Sequence, residues 1–319
     1  MAFLQVDYKS KKLGRKAHFN VFLPMDVDPA KTGAPFRTLY LLHGIYGNST
    51  SWVTSSCIQR YADDRNLCVV MPDGENGFYL DHPDYMNNFS HWIGEELVEA
   101  TRAMLPLSPR WADTWIGGFS MGGYGALRTG LKYADTFGGI IAFSSALLLE
   151  SLQNRTGTAG PMNEPYARAM FGDLDHLVGT ELDPLQLARE RVQSGKAFPR
   201  LYLSCGEQDF LLADNEKFHQ ALKDLGVEHA WRTTPRRAHL GLLGAGDSPC
   251  GAGLDAGGAG PCSPESGSAH SGFLKDIDGQ SSFAPSFCGG AFLRPPKTCA
   301  FLVVRGFSQS IQLLALEAP

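Results

Sequence analysis

The sequence predicts an open, mostly parallel α/β sheet with helices on both faces. Three observations carry this. Short apolar runs alternate with amphipathic stretches through residues 1–239. Most of those runs are continuously apolar, the pattern of strands buried on both faces. One of them leads through a glycine-rich elbow straight into a helical stretch, as strand-turn-helix units do.

Taken in order, Phe3–Tyr8 and His18–Leu23 are predicted strands joined by the basic turn Lys9–Lys16. Thr38–Leu42 is a compact apolar run ending in His43-Gly44, and Leu67–Met71 is another, ending in Pro72-Asp73-Gly74. Ile93, Leu97, Ala100 and Met104 recur at helical spacing, with Ser90 placed to cap the start and Pro106 to close it. Thr114–Ile116 is a strand, followed by the elbow and a helix to about Thr129. Phe137–Phe143 and Arg200–Ser204 are further strands. Leu211, Phe218, Leu222 and Leu225 mark one helix face, closed by Gly226. Val227–Arg232 is the last strand. Residues 146–198, with Pro161, Pro165 and Pro184, read as an irregular insertion over the sheet edge.

Composition divides the chain. Its 319 residues are 43% hydrophobic and 19% charged, with net charge −5 and pI near 6.0. That balance gives no reason to expect a nucleic-acid or membrane partner, and points to a globular protein. Yet residues 240–319 hold 14 of the 36 glycines and four of the seven cysteines, Cys250, Cys262, Cys288 and Cys299. The expected organisation is therefore a catalytic domain at 1–239 and a Gly/Pro/Ser-rich tail at 240–319.

Met1–Tyr8 lacks the basic and apolar regions of a secretory signal, and no stretch is long and apolar enough to span a membrane. Cysteines without a signal read as reduced thiols, so a cytoplasmic location is expected. There is no C-x-x-C, no H-E-x-x-H and no His pair at ligand spacing along the chain, so neither metal nor cofactor is expected.

In open α/β sheets, sites form past the C-terminal ends of strands. Gly118-Phe119-Ser120-Met121-Gly122 fits G-x-S-x-G between a strand and a helix. A nucleophile on so tight a turn needs flanking positions without side chains. The helix that follows aims amide donors at a developing oxyanion. Ser120 is the expected nucleophile of an α/β-hydrolase fold. Met121 supplies one oxyanion amide, and the loop His43-Gly44-Ile45-Tyr46-Gly47 supplies the other, Ile45 ahead of Tyr46. His43 precedes the nucleophile and is expected to hydrogen-bond the loop rather than act as base.

The chain order Ser, acid, His then selects the partners. Asp209 follows the Arg200–Ser204 strand and is the leading acid. Glu207 is a rival, and Asp214 another, though Asp214 is better placed to cap the next helix. Cys205 reads as a core residue. His239, on the loop after the last strand, is the expected base, whereas His219 and His229 read as structural or exposed. Tyr79, Tyr85 and Trp92 are loose candidates for a substrate pocket, with plain packing the alternative.

The segments "YLLHGIYGNSTSW", "WIGGFSMGGYGAL", "FGGIIAFSSAL" and "LSCGEQDFLLADNEKFHQALKDLG" together resemble the esterase D-like esterases. The nearest branch is the bacterial tributyrin esterase and acetylesterase type, often labelled S-formylglutathione hydrolase-like. The resemblance covers about residues 1–239. It implies an α/β-hydrolase fold and serine hydrolysis of short-chain acyl esters. It also implies a Ser120–Asp209–His239 triad with the Ile45 and Met121 amides as oxyanion hole. The alternatives are a thioesterase or acyltransferase sharing the triad, and a non-catalytic hydrolase fold left inactive by an altered C-terminus.

That alteration is specific. The family follows its histidine with H-x-W-x-Y-W and a final helix, whereas His239 is followed by Leu-Gly-Leu-Leu-Gly. The codons CTG GGC CTA CTG GG encode that pentapeptide, and read one base later they give Trp-Ala-Tyr-Trp. The expectation is a shifted frame after His239, with the final helix missing. Sequencing the gene around codon 239 checks it: no W-x-Y-W string in an alternate frame refutes the shift.

Overall fold

The computed structural model describes residues 1–25, 35–82, 86–157 and 162–235. His239, Tyr85, Pro161 and the whole of 240–319 lie outside the described residues.

The elements run β1 (Ala2–Lys9), β2 (Lys16–Leu23), β3 (Arg37–Leu42), α1 (Ser51–Ser55), α2 (Ile58–Asp64) and β4 (Leu67–Pro72). A small hairpin follows, β5 (Asp81–His82) with β6 (Asn87–Asn88). Then come α3 (Phe89–His91), a π-helical stretch Trp92–Glu96, α4 (Leu97–Met104), β7 (Thr114–Phe119), α5 (Met121–Lys132) and β8 (Gly139–Phe143). The last third holds α6 (Leu149–Gln153), α7 (Glu164–Phe171), α8 (Pro184–Gln193), β9 (Arg200–Gly206), α9 (Leu212–Asp224) and β10 (His229–Thr234).

Eight strands form one sheet in the order β1-β2-β4-β3-β7-β8-β9-β10. β2 runs antiparallel to both neighbours, and every pairing from β4 to β10 is parallel. Alternation splits each central strand between two cores. Tyr40, Leu42, Ile116, Ile140, Leu201 and Leu203 belong to the larger one, together with α5 and α9 side chains such as Leu127 and Phe218. Leu39, Leu41, Trp115, Ile141 and Tyr202 turn to the other, where Trp52, Ile58 and Ala62 of α1 and α2 meet them. Burial on both faces explains why these strands read as unbroken apolar runs. β1, at the sheet edge, instead alternates half-buried and exposed residues.

Several sequence expectations change. The Ile93–Met104 stretch is helical, but its π-helical stretch shifts the phase. Ile93, Leu97, Val98 and Thr101 are buried, and Met104 faces solvent. Ser90 does not cap this helix. Asp81 Oδ1 accepts the Ser90 and His91 amides at 2.9 and 3.2 Å, while the Ser90 hydroxyl receives Nη1 of buried Arg128 at 3.0 Å. Asp214 is not a cap either, because α9 starts at Leu212 and Asp214 lies in its first turn. Gly226 does close α9, at φ 71°. Its amide bonds Lys223 O at 2.9 Å and the Val227 amide bonds Leu222 O at 2.9 Å, a Schellman motif. The final strand begins two residues later than expected.

The stretch 146–198 is more regular than its prolines suggest. Pro165 and Pro184 sit in the first turns of α7 and α8, where a missing N–H removes no helix bond. Asn163 and Asp183 cap those helices by accepting the Tyr166 and Leu185 amides. Tyr124 and Arg128 of α5 then hydrogen-bond Leu182 O and Glu181 O, docking this region on the helix layer.

Candidate active site

Strand register brings the candidate residues to one edge of the sheet. Leu42 pairs with Gly118, Phe119 with Phe143, Phe143 with Ser204, and Gly206 with Thr234. The loops bearing Ile45, Ser120 and Asp209 therefore leave neighbouring strand ends on the same side. β10 ends there too, five positions before His239, which itself lies outside the described residues.

Ser120 joins β7 to α5 with φ 58° and ψ −117°, a backbone region that side-chain-bearing residues rarely adopt. Three hydrogen bonds hold it there. Its amide donates to Phe143 O at 2.9 Å, and its carbonyl accepts the Tyr124 and Ala146 amides at 3.1 and 3.0 Å. Ser120 stands at the N-cap position, yet its side chain makes no capping bond, so the hydroxyl is not spent on the helix. Met121 is the first residue of α5, and first-turn amides have no acceptor within a helix.

The flanking glycines are required by backbone approach. A Cβ on Gly118 would stand 2.2 Å from Gly122 O, and one on Gly122 would stand 2.4 Å from Leu42 O and 2.6 Å from His43 O. Those atoms are main chain and cannot swing aside. Gly122→Ala is expected to cost about 3 kcal/mol or more, since overpacking against fixed atoms reaches that range. Gly226→Ala is the control. It meets no atom within 4 Å and only places a side chain in the left-handed region at φ +71°, which costs about 1–2 kcal/mol. Thermal melting of the two variants checks the contrast, and equal melting temperatures would refute it.

The loop after β3 packs onto the nucleophile. A Cβ on Gly44 would lie 3.5 Å from Ser120 Cβ and 3.3 Å from the Phe119 ring. His43 is buried and holds this loop from within. Its Nδ1 bonds Gly44 O at 2.8 Å, and its Nε2 accepts the Gly74 amide at 2.9 Å. An acceptor at Nε2 places the proton on Nδ1, so both nitrogens are occupied. Asp73 Oδ1 stands 3.6 Å from Nε2, beyond hydrogen-bond range, and the Gly74 amide is the partner that sets the tautomer. Tyr79 donates its hydroxyl to His43 O at 2.8 Å. Burial pushes that phenol well above its ordinary pKa, which keeps it a donor. Tyr46 has φ 64°, and its amide is taken by Asn76 Oδ1 at 2.8 Å.

Asp209 lies three residues past β9 on a turn closed by its amide to Gly206 O at 3.0 Å. Its Oδ1 accepts the Leu211 amide at 3.0 Å, which fixes the carboxylate at the entrance to α9. Buried Asn215, which sequence reasoning missed, bolts this region to the nucleophile side. Its Oδ1 accepts the Ser145 amide, and its Nδ2 donates to Ser145 O and Leu211 O at 2.8 Å each. Glu207 is exposed and accepts a long 3.4 Å bond from the Thr233 hydroxyl. Asp214 lines a cavity of about 130 Å³ with Glu150, Lys217 and Phe218; burial there raises its pKa.

Two other candidates fall away. Tyr79 and Trp92 are fully buried, and Trp92 gives its indole N–H to the Tyr8 hydroxyl at 2.6 Å, so both are packing residues rather than pocket lining. Cys205 is buried, and desolvation pushes its thiol up to about 11, which leaves it protonated and inert.

A family profile described as "Putative esterase" matches residues 10–233. The chain belongs to this esterase family. It is a carboxylic ester hydrolase. An acetyl esterase of Caldicellulosiruptor saccharolyticus is 37% identical over 238 residues, spanning 72% of this chain and 88% of that protein. Among solved structures, the fluorophosphonate-binding serine hydrolase FphF of Staphylococcus aureus superposes with TM-score 0.64. It is 29% identical, over 73% of this chain and 90% of that one. The S-formylglutathione hydrolase FrmB of the same organism superposes with TM-score 0.63. It is 30% identical, over 73% and 91%. Both are serine hydrolases or esterases of the α/β fold described above.

Proposed function

We propose that this esterase hydrolyses short-chain acyl esters through an acyl-enzyme on Ser120. Asp209 is the acid, His239 the base, and the amides of Ile45 and Met121 form the oxyanion hole. The observation that carries the reading is the Ser120 backbone at φ 58°, ψ −117° between β7 and α5, with its side chain making no capping bond to the helix. In this scheme the Ser120 oxygen attacks the acyl carbonyl while His239 takes its proton and then returns it to the leaving alcohol. Asp209 holds the imidazole in its productive tautomer. The engagement of the Tyr46 amide by Asn76 supports Ile45 over Tyr46 as second donor. The occupied nitrogens of His43 support a base elsewhere.

The acetyl esterase relative supports a short acyl group, and the likeness of this chain to FrmB keeps S-formylglutathione as a second substrate to assay. The test is hydrolysis of p-nitrophenyl acetate by the full chain, with and without a serine-directed phosphonate. The expected result is activity that one equivalent of covalently bound phosphonate abolishes. Activity untouched by stoichiometric labelling of Ser120 would overturn the scheme. Absence of activity in the chain as it stands, restored by the alternate-frame ending after His239, would place the defect in the tail and leave the site assignment intact.

A further inference from the structure

We propose that His219 and His229 form a two-imidazole chelate for a borderline divalent transition metal such as Ni²⁺, Zn²⁺ or Cu²⁺, clipping α9 to β10. The two side chains come from adjacent elements and already meet. His219 Nδ1 and His229 Nε2 are 2.7 Å apart. Two nitrogens each about 2.0–2.1 Å from a shared ion stand about 2.9 Å apart at a right angle and about 3.4 Å apart at the tetrahedral angle. Capture of an ion therefore needs an opening of about 0.2–0.7 Å.

The surroundings suit ligation. His229 Nδ1 lies 2.8 Å from Val227 O and donates to it. That bond fixes the tautomer, leaves the Nε2 lone pair outward, and is the support that metal-bound histidines generally have. The rings cross at 72°, so they meet edge to face through Nδ1 of His219 and Nε2 of His229 instead of stacking. His219 lies flat on Trp231, with centroids 5.0 Å apart and planes 14° apart, which restrains its rotation.

The proton balance closes without net release. In the metal-free pair His219 Nδ1 gives its proton to the hydrogen bond with His229 Nε2. On binding, that proton moves to His219 Nε2, and both Nδ1 of His219 and Nε2 of His229 bind the ion. Imidazole donors select Ni²⁺, Cu²⁺ and Zn²⁺ over Mg²⁺ and Ca²⁺. No group of three or more His, Cys, Asp and Glu side chains able to hold a metal exists among the described residues, so water completes the coordination. This inference stands on geometry away from Ser120 and does not depend on the reaction scheme.

The stacked Trp231 supplies a readout independent of activity. Ni²⁺ titrated into the full chain is expected to quench tryptophan fluorescence saturably, and Trp231→Phe removes most of that quenching. His219→Asn and His229→Asn should each weaken binding at least about tenfold, the scale on which metal sites respond even to loss of a supporting contact. Circular dichroism and melting of the variants confirm that they fold, and His219→Gln repeats the test with a different side chain. Mg²⁺ should leave the signal unchanged. Absence of saturable quenching overturns the proposal. So does a titration that His219→Asn and His229→Asn leave as it was, since the ion then binds elsewhere.

Discussion

Ser120→Ala is expected to lower esterase kcat by about 10⁶-fold while leaving the melting temperature within about 2 °C of the parent. The first number is the scale on which serine hydrolases lose rate when the nucleophile is removed. The second follows from what holds the elbow. Its φ of 58° is maintained by backbone bonds to Phe143, Tyr124 and Ala146, none of which involves the hydroxyl. The side chain makes no capping bond to α5, so the helix loses nothing when the oxygen goes. Alanine meets the same steric resistance at positive φ as serine does, and the strain is unchanged. Fluorophosphonate labelling followed by intact mass gives a second readout: the parent gains one adduct and the variant none. A variant within tenfold of the parent, or one that still labels, would remove Ser120 from the reaction.

The separation between structural and catalytic consequence is possible because the elbow is rigid for reasons that sequence already discloses. Gly118 and Gly122 are spaced as a close backbone crossing demands, and each lies against main-chain oxygens that forbid a Cβ. The strands around them were legible for a similarly local reason, because a strand covered on both faces has to be apolar at every position. Helix ends were less legible. Ser90 and Asp214 are good capping residues by type, yet the Ser90 hydroxyl is taken by Arg128 and its amide by Asp81 of the small hairpin, and α9 already starts at Leu212, two residues before Asp214. Such partners are chosen by tertiary proximity, which no local pattern records. Pro165 and Pro184 misled in the opposite sense, since a proline marks a break or a first turn with equal sequence evidence.

The site itself was readable where chain order restricts it and unreadable where packing decides. His43 could be set aside from order alone, and the structure supplies the physical ground, with its two ring nitrogens committed to Gly44 and Gly74. Asn215 and Arg128 carried no motif. Each is a buried polar group whose partners come from distant segments: Ser145 in one case, Ser90 and Glu181 in the other. A buried amide or guanidinium can be tolerated only if such partners exist. Burial of these types therefore marks them as organising residues once the fold is known.

The acid is the assignment on which three carboxylates compete, and Asp209→Asn separates them. Asparagine keeps an oxygen where Asp209 Oδ1 accepts the Leu211 amide at 3.0 Å, so the entrance to α9 and the fold persist. What changes is the charge that orients and stabilises the imidazolium. An amide there can also present its NH₂ to the ring and select the wrong tautomer. Changes of this kind lower kcat by about 10⁴-fold in serine hydrolases with the geometry left intact. Glu207→Gln should stay within about twofold, because that side chain is exposed and its contact with Thr233 is long. Asp214→Asn should also stay close to the parent, and it is expected to be slightly stabilising. Burial raises the Asp214 pKa above its unfolded value, so ionisation at neutral pH opposes folding, and a neutral amide removes that penalty. The stabilisation appears above the unfolded-state pKa and vanishes below it, where the parent side chain is protonated in both states. Steady-state kinetics at pH 7 and melting curves at acid and neutral pH measure both predictions. A large kcat loss in Glu207→Gln or Asp214→Asn beside an active Asp209→Asn would transfer the role of acid to the residue that suffered it.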